Sequence, residues 1–181
     1  RVISIPPHLV EAPRKDVSTL PDDLSLGSLR AYEPASPVNS DLLLFLAGTS
    51  RDCGFYSELL ELVGSSMNVL CVPYDNRMPV AKKCLLDKDC YSRLRMEAFA
   101  GDYNAVPHNN LEGRVVSALQ YLSRTDGPAW GRYLNATSGL PLWRSYRVAG
   151  HSQGAGNAAW IGYHREVARV VQLSGVCDRS D

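Results

Sequence analysis

Short apolar runs, separated by segments of helical periodicity, recur along the whole chain. Six of them have the length and composition of β-strands and lie at residues 2–5, 29–32, 42–47, 68–72, 146–149 and 167–173. The run at 42–47 is apolar at every position, which is typical of a central strand that is covered on both faces. We therefore expect a sheet with this run near its centre.

Three segments between these runs have the pattern of helices. The first is predicted to bury an apolar face of four residues, Phe55, Leu59, Leu62 and Val63. The second begins near Asn109, which stands in capping-box spacing to Glu112. Its apolar stripe is a predicted core element of five residues, Leu111, Val115, Ala118, Leu119 and Leu122. The third occupies residues 155–163.

Strands and helices alternate in this order, which favours parallel strands joined by helical crossovers. We expect an α/β fold, with a mostly parallel sheet of about six strands and helices on both faces. A chain of 181 residues has the size of one domain, and we expect residues 1–181 to form it. Residues 74–108 are predicted to be a long connection.

The charge balance argues against several classes of partner. Nineteen basic and nineteen acidic residues cancel, so nothing favours a nucleic acid or an anionic membrane surface. No apolar run approaches the roughly 20 residues of a membrane span. The expected partner is a small molecule.

The five cysteines and the first residue favour the secretory pathway. Cys84 and Cys90 bracket a five-residue loop and are predicted to form a disulfide. Asn135 begins an Asn-Ala-Thr glycosylation sequon in a predicted loop. The chain begins with Arg1 rather than methionine, which we interpret as removal of a leader or a start downstream of one. The odd cysteine is either a free thiol or one whose partner is missing.

One motif carries specific chemistry, G-x-S-x-G at residues 150–154. A predicted strand precedes it and a predicted helix follows it, so Ser152 is expected on a sharp strand-to-helix turn with its hydroxyl exposed. Side chains in place of Gly150 and Gly154 would collide with the neighbouring strand and helix. This context predicts that Ser152 is a nucleophile.

The same glycines also match the spacing of a dinucleotide-binding loop, through Gly150, Gly154 and Gly156. In that fold the glycines follow the first strand and several βαβ units come after them. Here only one predicted strand follows, so we set the dinucleotide interpretation aside.

With these residues the chain resembles the N-terminal two thirds of an α/β-hydrolase. The resemblance implies an oxyanion hole made of two backbone N–H groups, those of Gln153 and Thr49. For Thr49 the alternative is an ordinary turn at the end of a strand. The resemblance implies an acid after a later strand, for which Asp178 is a candidate, although a plain turn aspartate is an equal alternative. It implies neither a metal nor an organic cofactor.

The base of the implied triad is the point where the chain departs from the family. His164 alone follows Ser152, and it lies about 18 Å along the helix at a rise of ~1.5 Å per residue. His151 should point away from the serine, His108 has the wrong chain order, and His8 is expected at the surface. We therefore expect the catalytic histidine to come from a C-terminal segment or from a second chain.

The sequence thus predicts a serine hydrolase that acts on ester or other acyl bonds through a Ser152 acyl-enzyme. The alternative is a non-catalytic, hydrolase-like binding module or an inactive fragment. A transacylase would use the same residues.

Overall fold

The structure is a computed structural model, and it describes residues 1–6, 28–84, 87, 89–100 and 110–175. The strands are β1 (Val2–Ile5), β2 (Leu29–Tyr32), β3 (Leu42–Leu46), β4 (Asn68–Cys71), β5 (Tyr146–His151) and β6 (Arg169–Leu173). The helices are α1 (Ser57–Gly64), α2 (Val80–Cys84), α3 (Cys90–Ala100), α4 (Leu111–Thr125) and α5 (Gln153–His164). Short 3₁₀ helices lie at Cys53–Tyr56, Pro128–Tyr133 and Trp143–Ser145.

The six strands form one sheet in the order β1-β2-β4-β3-β5-β6. The pairs β1–β2 and β2–β4 are antiparallel, whereas β4–β3, β3–β5 and β5–β6 are parallel. The expected α/β fold with a mostly parallel six-stranded sheet is confirmed, and β3 is buried along its whole length.

Alternate residues of β3 belong to two separate cores, one on each face of the sheet. Leu44 packs in the larger core with α4, α5 and the 3₁₀ helix Pro128–Tyr133. Phe45 packs in the smaller core with α1 and the 3₁₀ helix Cys53–Tyr56. This alternation follows from the two-residue period of a strand. Because both faces of β3 are covered by apolar cores, the strand contains no polar residue.

Of the four residues of the apolar face predicted for the first helix, only Val63 packs against the core. Phe55, Leu59 and Leu62 are 58%, 39% and 72% exposed, and the buried residues of α1 are Leu60 and Gly64. A Cβ at Gly64 would lie 3.2 Å from Cγ of a β2 residue, Tyr32, and closer still to its Cβ. The helix therefore packs its smallest residue, Gly64, against the sheet. The apolar pattern alone predicts that the opposite side of the helix faces the sheet.

The stripe predicted for α4 is confirmed, since all five residues are buried. The N-cap residue is Asn110, one position after the predicted Asn109. Its Oδ1 accepts a hydrogen bond of 2.7 Å from the Gly113 N–H. Such a cap satisfies one of the unpaired N–H groups of the first turn. Asn109 lies outside the described residues.

Residues 74–108 are not a plain connection, because α2 and α3 lie within them. The predicted pairing of Cys84 with Cys90 is present and joins the end of α2 to the start of α3. A second disulfide, Cys53–Cys71, ties the loop after β3 to β4. The fifth cysteine, Cys177, lies outside the described residues. None of the described helices has the length and apolarity needed to cross a membrane.

The two disulfides should differ in their contribution to stability. Loss of Cys53–Cys71, whose cysteines are 18 residues apart, is expected to lower the free energy of unfolding by about 3 kcal/mol in the loop-entropy model. Loss of Cys84–Cys90, with a separation of 6, should cost about 2 kcal/mol. Urea denaturation of the two double alanine variants, without reductant, measures both; a larger loss for Cys84→Ala/Cys90→Ala would contradict this expectation.

Candidate active site

Ser152 occupies a strained turn between the last residue of β5 and the first residue of α5. Its φ of 53° and ψ of −115° place a non-glycine residue at positive φ, which costs about 1–3 kcal/mol and persists only where the surroundings enforce it. The Ser152 N–H donates to the Leu173 carbonyl at 2.9 Å, and its own carbonyl accepts from the Ala155 N–H at 2.9 Å. The residue is exposed, so the turn presents its hydroxyl to solvent.

The glycines on either side of Ser152 are required by close main-chain contacts. A Cβ at Gly150 would overlap the carbonyl of Gly154, and a Cβ at Gly154 would overlap the carbonyl of Leu46 and lie 2.7 Å from the oxygen of Ala47. These are the collisions with helix and strand that the motif predicted. Because the neighbours are backbone atoms, they cannot move aside.

Gly156 has a different reason to be glycine. The guanidinium of Arg95, a buried α3 residue, lies against it, with Nε 2.9 Å from the position of a Cβ. Arg95 Nη1 donates to the Gln153 carbonyl at 2.8 Å and to Asn157 Oδ1 at 3.0 Å. The third glycine of the dinucleotide-like spacing is thus explained by packing of an arginine. No sequence pattern indicated a role for Arg95.

The two proposed oxyanion donors lie beside the serine. Because β3 and β5 are parallel neighbours, with Leu46 opposite Gly150, the loop after β3 meets the start of α5. Thr49 Oγ1 donates to Gln153 Oε1 at 2.8 Å. Within the described residues, neither the Thr49 N–H nor the Gln153 N–H donates a hydrogen bond. Both groups are therefore available to an oxygen atom bound near Ser152.

Three buried polar side chains, all missed by sequence reasoning, hold the loop after β3. Tyr56 Oη accepts from the Gly48 N–H at 3.0 Å, and Tyr74 Oη donates to the Ala47 carbonyl at 2.6 Å. Asn76 Nδ2 donates to the Gly48 carbonyl at 2.6 Å. Burial raises the pKa of Tyr74 above its ordinary value, so this hydroxyl keeps its proton and remains a donor.

Ser152, Thr49 and Gln153 open on a cleft of about 130 Å³. One wall comes from α2, α3 and the residue before α2, through Pro79, Val80, Ala81, Tyr91 and Arg95. Ser174 and Gly175, which follow β6, also line it. In the parts of the chain that are described, no group of three or more His, Cys, Asp or Glu residues could hold a metal ion.

Neither of the described histidines, His151 and His164, forms a hydrogen bond with the Ser152 hydroxyl. His151 Nδ1 lies 3.0 Å from Tyr56 Oη, and His164, the last residue of α5, stacks on Trp160 with 4.1 Å between ring centroids. His8, His108 and Asp178 lie outside the described residues. The structure therefore brings Ser152, Thr49 and Gln153 together around one cleft.

The close contact of Gly154 with β3 gives a direct test of the turn. Gly154→Ala should lower the free energy of unfolding by about 3 kcal/mol, because the added methyl meets rigid backbone. Gly54→Ala is the matched control, since its nearest neighbours at 3.2 Å are ends of the Arg30 and Asp52 side chains. Chemical denaturation compares the two; equal stability of both variants would show that α5 does not lie this close to β3.

Comparison with known proteins finds similarity at the level of structure alone. No family model and no curated protein matches the chain. Matching solved structures include MenH from S. aureus, with 12% identity and a TM-score of 0.40 over 80% of this chain and 41% of that one. Esterase B from Lactobacillus rhamnosis, inhibited by a phosphonate, matches with 13% identity and a TM-score of 0.41 over 94% and 45%.

A third match is a hyperthermophilic esterase from the archaeon Pyrobaculum calidifontis, with 13% identity and a TM-score of 0.36 over 92% of this chain and 39% of that one. The chain spans about two fifths of the length of these three structures. The sequence identity to each of these three structures is at most 13%. The chain has a mostly parallel, six-stranded α/β fold, with its serine in a strained G-x-S-x-G turn at the carboxyl end of β5.

Proposed function

We propose that the chain is a serine hydrolase that cleaves carboxylic esters or other acyl bonds through an acyl-enzyme on Ser152. The observation that supports this most is the backbone of Ser152, at positive φ and exposed above a cleft. Strain of this kind concentrates at functional sites, and in this turn it directs the hydroxyl away from the sheet.

The proposed reaction begins with attack of Ser152 Oγ on the acyl carbonyl. The carbonyl oxygen becomes an oxyanion, which the N–H groups of Thr49 and Gln153 stabilise, each by about 3 kcal/mol. Collapse of the tetrahedral intermediate expels the alcohol or amine, and water then hydrolyses the acyl-enzyme. If another acceptor replaces water, the same site transfers the acyl group.

A serine hydroxyl needs a base to take its proton near neutral pH. His151 Nδ1 is occupied by Tyr56, and α5 carries His164 away from the site. We therefore propose that the base is a histidine outside the described residues, in this chain or in a second one. Asp178 remains the candidate for the acid that orients it.

The cleft favours a small acyl group. Its volume of about 130 Å³ is close to that of an engineered cavity of about 150 Å³ that holds benzene. The wall formed by Val80, Ala81 and Tyr91 is largely apolar, which suits an alkyl chain. Short-chain esters are therefore the substrates to try first.

The competing function is a non-catalytic binding module. It is favoured by one observation, that neither described histidine is placed as a base for Ser152. Such a module would keep the cleft but would not react with an electrophile that requires an activated serine.

A fluorophosphonate probe separates the two functions. We expect the full-length protein to be labelled at Ser152, and Ser152→Ala to lose both labelling and turnover of short p-nitrophenyl esters by at least about a thousandfold. Ser66→Ala, at an exposed serine between α1 and β4, is the control and should react like the wild type. Peptide mapping of the adduct locates it; absence of labelling in the wild type would favour the binding module.

We also propose that the protein matures in an oxidising compartment. The two disulfides and the sequon at Asn135 support this. Asn135 lies in a surface turn, where Oδ1 accepts from the Thr137 and Ser138 N–H groups at 2.9 Å each.

Non-reducing peptide mapping of protein from its natural source tests this proposal. Alkylation before digestion should leave two cross-linked peptide pairs, Cys53 with Cys71 and Cys84 with Cys90, because an oxidising compartment preserves both bonds. Recovery of all four as alkylated thiols would point instead to a reducing compartment. Protein that is first reduced is the control, and it should give all four in alkylated form.

A further inference from the structure

One buried hydroxyl lies between the two segments that the proposed chemistry needs. Tyr56 Oη accepts from the Gly48 N–H at 3.0 Å and lies 3.0 Å from His151 Nδ1. Gly48 precedes Thr49, the proposed oxyanion donor, and His151 precedes Ser152. A single side chain therefore joins the oxyanion loop, residues 47–51, to the serine turn.

Counting protons fixes the direction of these bonds. A tyrosine hydroxyl has one proton and two lone pairs, and the Gly48 N–H uses one lone pair. Among the described residues, the acceptor within reach of the remaining proton is His151 Nδ1. A proton on Nδ1 would instead leave the O–H of a buried tyrosine without an acceptor, which is unfavourable. His151 is thus assigned the neutral form with its proton on Nε2.

Tyr56 is also held by contacts with residues outside the two segments that it joins. It ends the 3₁₀ helix Cys53–Tyr56, which is attached to β4 by the Cys53–Cys71 disulfide and capped by Asp52 Oδ1, 3.0 Å from the Phe55 N–H. Its ring packs on Phe45 of β3 with 4.8 Å between centroids. The hydroxyl is therefore held by the scaffold and serves as a fixed reference for both loops.

The contact also leaves no free space. A Cβ at Gly48 would lie 2.8 Å from His151 Nδ1 and 3.1 Å from Tyr56 Oη. The three groups are packed as closely as their hydrogen bonds require, so a shift of one is transmitted to the others.

We propose that Tyr56 is a positioning residue that aligns the oxyanion loop with the Ser152 turn and holds His151 in the Nε2–H tautomer. This inference rests on the proposed function. Without the hydroxyl, the Gly48 N–H loses its acceptor, and the adjacent Thr49 N–H is no longer aimed at the oxyanion. Because this donor acts mainly in the transition state, kcat should fall and KM should change little.

The test compares Tyr56→Phe with Tyr163→Phe in the full-length protein. Both variants delete one hydroxyl, but Tyr163 is 86% exposed on α5. For Tyr56→Phe we expect kcat on a short p-nitrophenyl ester to fall about 10- to 100-fold, with KM within about twofold. We expect ¹⁵N spectra of the His151 ring to change from the Nε2–H form to a mixture of tautomers. Tyr163→Phe should match the wild type in both.

A double-mutant cycle with His151→Ala shows whether the hydroxyl acts through the histidine. His151→Ala keeps the bond from Gly48 to Tyr56 and should give part of the loss, and the two losses should be less than additive. Should Tyr56→Phe fail to fold, His151→Ala by itself still tests the contact, because wild-type kcat in this variant would show that the bond between Tyr56 and His151 does not align the serine turn.

The outcomes separate this inference from the proposed function. Wild-type kcat together with an unchanged His151 tautomer in Tyr56→Phe would overturn the positioning role, as would fully additive losses in the cycle. If the wild type neither hydrolyses esters nor reacts with a fluorophosphonate, the proposed function fails. The tautomer measurement still decides whether Tyr56 controls His151, since it needs no turnover.

Discussion

The structure depends on how closely α5 approaches the carboxyl end of β3. At Gly154 the helix and the strand meet through main-chain atoms, with no space for a side chain. Since β3 and β5 are parallel neighbours, the loop after β3 and the first turn of α5 then lie at the same edge of the sheet. The positive φ of Ser152 is the local consequence, because the chain must reverse there from strand to helix within one residue.

Polar groups behind the cleft make this arrangement rigid. Burying a hydroxyl or an amide is costly unless its hydrogen bonds are satisfied, and Tyr56, Tyr74 and Asn76 all bond to the same short loop. Arg95 holds the first residue of α5 in a similar way, because it donates to the Gln153 carbonyl. Within the described residues, the N–H groups of Thr49 and Gln153 donate no hydrogen bond, and both residues line the cleft with the exposed serine. In the proposed reaction these two groups stabilise the oxyanion.

The Cys84–Cys90 disulfide joins two helices that share only a small apolar core. The buried core between α2 and α3 is a small cluster that contains Val80 and the two bonded cysteines themselves. Because so little apolar area joins these two helices, the Cys84–Cys90 bond is a large part of what keeps them together. Residues of α2 and α3 form one wall of the cleft, so the bond between these helices helps to shape the surroundings of the serine. The Cys53–Cys71 bond lies within the smaller core, where both cysteines are fully buried, and it attaches the 3₁₀ helix that ends at Tyr56 to β4.

Short-range patterns by themselves determined a large part of this protein. The all-apolar β3, the stripe of α4, the glycines around Ser152 and the pair Cys84–Cys90 are each encoded within about a dozen neighbouring residues, where periodicity and steric contact are decisive. Contacts between distant segments were decided only by the tertiary structure. Tyr56 meets His151 across 95 positions, Arg95 meets Asn157 across 62, and Cys53 finds Cys71 because their segments lie together in the fold. The face of α1 was mispredicted for the same reason: hydrophobicity indicates which residues can be buried, but the close approach of Gly64 to Tyr32 determines which side meets the sheet.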